Sequence, residues 1–466
     1  MSIATRLFDR VRGGVHPPTY KDLTATEPIR EAQAPSTVVI PMRQHVGAPC
    51  TPVVKKGSEV RVGTLIGDSE AYVSAPIHSS VSGKVIQVAP QAHPAGGDVL
   101  AVIIESDGEY RPEPALSVPE PWENLEPREI HRAVRDAGIV GLGGAAFPTH
   151  VKLNPPHDYP IDTVILNGAE CEPFLTSDYR LMLEQPEAVL EGLLVIMKAV
   201  GAPRGIVAIE DNKPQAIKSM SAVTRGGGIE VSSLKTRYPQ GAEKVLIDSL
   251  LKREVPSGGL PMHVGVVVQN VGTAHAIARY FSTGMPLVKR VVTVTGSIVR
   301  EPSNLMVPIG TSFAAAAEAC GGFTEPPGKV LMGGPMMGLA QYTLEVPVIK
   351  GTSGILALSL KETAYIVPGE PVCIRCGRCV DACPMGLIPT YLAAYAYNEK
   401  WDSLQRLNIQ DCFECGCCAY ACPTRNPLVQ LIKTGKVELA RRKTRMESRA
   451  AELAAAAPGE EGGNGE

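Results

Sequence analysis

Eight cysteines fall into two runs with one rhythm. Cys373, Cys376, Cys379 and Cys383 follow C-x2-C-x2-C-x3-C, with Pro384 next; Cys412, Cys415, Cys418 and Cys422 repeat it and end at Pro423. Four thiolates on so short a span can wrap the backbone around an iron–sulfur cubane, whose sulfurs then accept hydrogen bonds from nearby amides. In two-cluster ferredoxins the fourth cysteine of each run serves the other cluster. The spacing therefore assigns Cys373, Cys376, Cys379 and Cys422 to one [4Fe–4S] cluster. Cys412, Cys415, Cys418 and Cys383 go to the other. Zinc also takes four thiolates, but its sites pair separated cysteine knuckles rather than three consecutive C-x2-C steps closed by C-P.

Cys417 lies outside the rhythm and reads as a packing thiol, as do the isolated Cys50, Cys171 and Cys320. Nine of the twelve cysteines lie between 373 and 422, which points to metal ligation rather than a disulfide framework. A cluster moves one electron at a time. Two of them form a wire, and a wire needs a source and a sink.

The stretch GLGGAAFP at 141–148 contains G-x-G-x-x-A. A dinucleotide fingerprint of that form follows a strand and opens a helix. Here the glycines follow a helical pattern, REIHRAVRDAG, and Pro148 interrupts what comes next, so the Rossmann reading fails on context. The glycines still permit close backbone approach to a phosphate or an aromatic ring. Glu170 and Glu172 come just after the apolar strand TVILNGAE, where an α/β sheet places its ligand crevice.

The elements that must position these residues read as follows. Residues 1–35 form an N-terminal arm. Residues 36–111 are short strands punctuated by Gly57, Gly63, Gly67 and Gly83, an all-β domain. Residues 112–127 are a Pro- and Glu-rich linker. From 128 to 287 helices and strands alternate, an α/β domain. Residues 288–350 open with a strand pair and hold a glycine-stopped helix, a small α+β unit. The cysteine runs fill 360–435. The tail 436–466 begins basic and helical and ends in PGEEGGNGE, a composition that does not bury a core.

Net charge is −3 and aromatic residues make up 5% of the 466. Neither fits a general nucleic-acid partner. The start, MSIATRLFDRVRGG, has charges and no apolar core, unlike a secretory signal. The longest apolar stretch, AVLEGLLVIMKAV, contains Glu191 and Lys198 and is too short and too charged to span a bilayer. These features predict a cytoplasmic chain able to dock on a membrane partner.

GLGGAAFPTHVKL, NGAECEPFLTSDYRLM, YPQGAEKVLIDSL and VVVQNVGTAHAI occur in that order. They resemble the flavin- and NADH-binding subunit of respiratory complex I. With GGVHPP at 13–18, the β domain and the two cysteine runs, the sequence resembles more closely the RnfC family, the C subunits of Rnf ion-translocating oxidoreductase complexes. The resemblance covers nearly all of the chain except the tail. It implies four folds in order: a barrel-sandwich hybrid (lipoyl-like) domain, an FMN/NADH-binding α/β domain, a β-grasp ligand-binding unit and a helical dicluster ferredoxin domain.

The resemblance also implies roles. Gly141, Gly143 and Gly144 would line a non-covalent FMN and Lys152 would meet its phosphate. Asn167 and Glu170 would hold the isoalloxazine side, and Tyr238, Gly241, Asn270 and Thr273 would complete the cradle. Phe147 and Glu172 would face NAD(H), with Glu243 near both. Ala169, Ala242 and Gln269 depart from the complex I pattern, and two of these changes remove a carboxylate. No side-chain acid, base or nucleophile is needed, because a flavin accepts a hydride and passes electrons singly.

The implied function is that of a peripheral subunit on the cytoplasmic face of the cell membrane. It would pass electrons between NAD(H) and ferredoxin-side carriers, with other Rnf-type membrane subunits carrying the Na+ or H+. Two alternatives stand beside it. A soluble corrinoid reductase would carry its β domain after the cysteine runs. A non-catalytic wire or scaffold would bind no flavin; Lys84 lacks the exposed turn that a lipoyl or biotinyl lysine occupies.

Overall fold

Four runs of branched apolar residues form the sheet around which the larger part of the chain is built. Thr163–Gly168, Arg204–Glu210, Ile229–Leu234 and Val266–Asn270 are strands, and β-branched side chains suit a pleated, buried surface. In the computed structural model all three pairings are parallel. Residues 13–144, 146–224, 228–363 and 372–456 are described. Residues 1–12 of the arm, 364–371 of the ferredoxin-type span and 457–466 of the tail lie outside them.

The spatial order places the third strand at one edge, then the second, the first and the fourth. The connection therefore reverses between Thr163–Gly168 and Val266–Asn270. Helices Pro127–Asp136, Pro186–Val200 and Val271–Thr283 cover one face through Ile130, Leu193, Ile196 and Ile277, all without exposed surface. Helix Glu243–Leu251 covers the other through Leu246 and Ile247. Pro186–Val200 and Val271–Thr283 approach so closely that a Cβ on Gly192 would lie 1.9 Å from the carbonyl oxygen of Ala274.

Two further sheet systems belong to the same compact unit, residues 16–366. Residues 37–106 form a four-stranded sheet and a three-stranded sheet around a core that includes Val38, Ile40, Ile66 and Ile104, as expected for a small all-β domain. A six-stranded mixed sheet follows, centred on Lys289–Thr295, Ser303–Pro308 and Gly354–Leu358. It extends past residue 350 to include Gly354–Leu358. It also recruits Ile29–Glu31 from the arm, which pairs in parallel with Asn304, Leu305 and Met306. The arm is thus not free chain from residue 16 onward.

The second compact unit comprises residues 1–15 and 367–466. Its two cysteine runs share one backbone course. Arg375 and Glu414 take φ of 57° and 62°, and Gly377 and Gly416 take 77° and 84°, each pair at matching places. Short helices Arg378–Asp381 and Cys417–Ala421 follow. Each run then leads into a longer helix, Pro389–Tyr397 or Leu428–Ala456, and these two pack around Leu392, Ala396, Ile432 and Leu439. The second of these helices runs unbroken through the start of the tail at residue 436. Gly435 lies inside it, where a Cβ would reach 3.0 Å from Leu404 and 3.2 Å from Ala396.

Gly192→Ala tests the helix crossing. Alanine favours a helix over glycine by about 1 kcal/mol, while overpacking a tight contact costs about 1–3 kcal/mol. The clash is with backbone, so the loss dominates. The thermal midpoint followed by near-UV circular dichroism should fall, and a rise would refute the close crossing.

Candidate functional site: a crevice at the sheet reversal and a paired cysteine centre

Ligand crevices in parallel sheets open at the carboxyl ends of the strands where the order reverses. At that place Asn167 and Asn270 stand opposite each other in register. The Asn167 amide donates to the carbonyl of Gly241 at 2.8 Å, and its oxygen accepts from the Ala169 N–H at 3.2 Å. Asn270 caps the Val271–Thr283 helix by accepting from the Gly272 N–H at 2.8 Å. Its amide donates to Asp178 Oδ2 at 2.6 Å.

The glycine loop lies against this point. The Leu142 N–H donates to the Thr273 hydroxyl at 2.9 Å. A Cβ on Gly143 would stand 2.6 Å from the Asn270 amide nitrogen, whereas one on Gly144 would meet open space. Gly143 is therefore required by contact, and Gly144 leaves room. A Cβ on Gly241 would touch Asn167, Ala169 and Cys171, each at 3.4 Å. Glycines, asparagines and Thr273 thus come together in space from four separate sequence stretches.

The two glutamates are already engaged. Glu170, at φ 45°, accepts from the Asp178 and Tyr179 N–H groups at 2.8 and 3.2 Å. A carboxylate there satisfies orphan amides and meets the positive end of the Ser177–Glu184 helix. Glu172 accepts from the Met336 and Met337 N–H groups at 3.1 and 2.8 Å. Burial raises its pKa to about 7, against those two bonds and a further one to Tyr238. Tyr238 is 2% exposed. Lys152 and Glu243 form an ion pair at 2.6 Å, and Phe147 is partly exposed at the loop's end.

Several contributors escape sequence reasoning. Asp178 meets Asn270, and burial together with nearby Glu170 raises its pKa to about 7. Lys213, 2% exposed, donates to the Ala169 carbonyl at 2.7 Å and to Glu210 at 3.1 Å. The Cys171 thiol accepts from the Gly241 N–H at 3.3 Å, and burial pushes it up to about 12, which suits packing rather than reactivity. The side-chain nitrogen of Gln269 and the hydroxyl of Thr149 are buried without a hydrogen-bond partner. Thr149 follows the glycine loop and Gln269 precedes Asn270 in the chain, and a buried polar group calls for a partner.

In the second unit Cys383 of the first run lines one cavity with Cys412, Cys415 and Cys418 of the second. The repulsion that raises the Cys418 thiol to about 12, after burial, comes from Cys415, Cys412 and Cys383. Cys379 feels Cys373 and Cys422 in turn. Cys383 of the first run thus lies with three cysteines of the second, and four thiols are a donor set of the kind that holds a cubane. Lys436 donates to the Cys412 carbonyl at 2.8 Å and pairs with Glu414 at 2.7 Å, which fixes the second run. The Gly14 N–H donates to the Ala382 carbonyl at 2.9 Å, and a Cβ on Gly13 would lie 2.5 Å from the Cys383 backbone. These glycines of GGVHPP thus seat against the first run's end, a contact that no spacing rule reveals.

Comparison with known proteins adds four domain matches. The Nuo51 FMN-binding domain matches residues 134–279 and the RnfC barrel sandwich hybrid domain residues 9–109. The SLBB domain matches 291–340 and the 4Fe-4S dicluster domain 372–426. The C subunit of the proton-translocating ferredoxin:NAD(+) oxidoreductase complex of Clostridium ljungdahlii is 48% identical, over 92% of this chain and 93% of its own. The Na(+)-translocating counterpart of Acetobacterium woodii is 47% identical over 92% and 96%. The C subunit of an ion-translocating oxidoreductase complex of Rhodobacter capsulatus is 43% identical over 93% and 84%.

The Glu172 carboxyl makes a pH test possible. Its folded pKa of about 7 lies above the ordinary value of 4.5, so the folded state holds the proton more tightly. Its contribution to stability is full below the ordinary value and is lost as pH rises toward 7. Glu172→Gln has no such loss. The melting temperature of the variant minus that of the parent should rise between pH 5 and pH 8; a flat difference would exclude the raised carboxyl.

Proposed function

Because the chain belongs to the RnfC family, the C subunits of ion-translocating ferredoxin:NAD(+) oxidoreductase complexes, we propose that it passes electrons between NAD(H) and ferredoxin-side carriers, with FMN and two [4Fe–4S] clusters held by the residues described above. The observation that carries this reading is the meeting of Gly143, Asn167 and Asn270 at the sheet reversal, in a chain that also pairs two cysteine runs. Bound there, FMN would take two electrons as a hydride and release them one at a time to the clusters.

The residues of the chain then bind and orient. The loop glycines Gly141, Gly143 and Gly144 allow the backbone to approach the ring and phosphate. Lys152, now paired with Glu243, is the cation a phosphate would share. Asn167, Glu170, Tyr238, Gly241, Asn270 and Thr273 shape the cradle. Of these, Glu170 acts through the helix it caps, because both its oxygens accept from that helix's backbone. Phe147, Glu172 and Glu243 would face the nicotinamide nucleotide. Cys373, Cys376, Cys379 and Cys422 would hold one cluster, and Cys412, Cys415, Cys418 and Cys383 the other.

Among the described residues no helix is long and apolar enough to cross a membrane. We assign the ion path to other subunits of the complex and place this chain on the cytoplasmic face of the membrane. The domain order and the relatives' names favour this over a corrinoid reductase.

Anaerobic reconstitution followed by NADH titration tests the whole reading. Flavin and cluster absorbance should bleach together, with about eight iron atoms per chain for two cubanes. Absence of bound flavin would return the chain to the scaffold class. Cys383→Ala should weaken the electron paramagnetic resonance signal of the 412–418 cluster more than the other; equal loss would remove the crossing.

A further inference from the structure

The acidic turn between Gly168 and Ser177 carries Glu170 and Glu172 on backbone that no regular element supports. Glu170 and Phe174 adopt φ of 45° and 69°. Non-glycine residues held there are strained and persist only where the surroundings over-determine them. Lys213 holds one end through the Ala169 carbonyl. The other end is held by the N-terminal arm.

Lys21 donates from Nζ to the carbonyl of Glu172 at 2.9 Å and to that of Leu175 at 2.5 Å. Its arm neighbours grip the same turn. Tyr20 stacks on Phe174 with centroids 4.7 Å apart and planes 19° from parallel. The Phe174 N–H donates to the Thr19 carbonyl at 2.7 Å. The Thr24 and Thr176 hydroxyls meet at 2.7 Å. Burial lowers the Lys21 pKa from its ordinary value; Glu170 and Glu210 work against that shift and Lys213 adds to it. Its two carbonyl contacts make it a tether of the turn.

We propose that Lys21 is a positioning residue for the nucleotide and flavin site: it fixes the acidic turn through two carbonyls, and its ammonium form would bring a positive charge to that turn. The inference rests on the flavin and nucleotide reading above. A positive charge near a flavin stabilises the reduced, more negative form, so removing it lowers the flavin potential. Loosening the turn weakens presentation of Glu172 and raises the NADH concentration needed for reduction.

The test uses the FMN-loaded full chain under anaerobic conditions. Lys21→Met should keep the parent's flavin content, raise the half-saturating NADH about tenfold or more, and lower the flavin midpoint potential. Lys21→Arg should recover the potential. Tyr20→Leu, which removes the stacking but keeps the ammonium, should raise the NADH requirement and leave the potential in place. Lys21→Met with parental NADH dependence and potential would overturn the proposal. So would equal shifts of both quantities in Tyr20→Leu and Lys21→Met, since that marks packing alone. If Lys21→Met does not fold, an unchanged NADH requirement in Tyr20→Leu and a potential that Lys21→Arg leaves shifted overturn it. A parent chain that binds no FMN would fail at the site reading itself, a separate result.

Discussion

One buried amide holds together the parts on which the crevice depends. Asn304 has no exposed surface. Its oxygen accepts from the hydroxyls of Thr176 and Thr293 at 3.0 and 2.9 Å, and its nitrogen donates to the carbonyls of Thr24 and Glu27 at 3.0 and 3.2 Å. The acidic turn, the arm and the mixed sheet therefore share one hydrogen-bonded node. In a low-dielectric interior such a node is worth most when every member is satisfied. Removal of one partner leaves the others buried and unpaired, which costs about 1–3 kcal/mol per group. The geometry of Glu170 and Glu172 is thus set by polar contacts behind the turn as much as by the sheet in front of it.

A similar economy governs the cysteine unit. The two runs meet in space, because Cys383 lines one cavity with Cys412, Cys415 and Cys418. The repeated left-handed residues Arg375 and Glu414 turn each run sharply without glycine at those positions. The helix that begins at Leu428 ties the second run in place through Lys436. Metal binding is coupled to folding where the ligands meet only in the folded chain, and these cysteines come from two separate runs.

Much of this was legible from the sequence. The strands Thr163–Gly168 and Val266–Asn270 announce themselves as continuous apolar runs, and the cysteine rhythm names its own chemistry. Glu170 and Glu172 follow from their place after a strand. Their partners do not. Asp178, Lys213 and Lys21 meet the site across long sequence separations, and a lone lysine in an arm carries no periodic signal. The arm gives no strand signal because its anchoring strand is three residues long, too short to alternate. The helix from Leu428 crosses the boundary set between residues 435 and 436, and Gly435 serves as a notch against Leu404 and Ala396. Local rules see propensity, and tertiary packing overrides it.

The pairing of Ile29–Glu31 with Asn304–Met306 also orders events in time. The arm is synthesised well before the strand it joins, because all four strands of the parallel sheet lie between them in the chain. Contacts of such long sequence separation form late, and chains fold largely from the N-terminus as they are synthesised. The acidic turn therefore spends part of the protein's birth without its clamp. Until residue 306 is translated, Ile29–Glu31 has no complete strand to join.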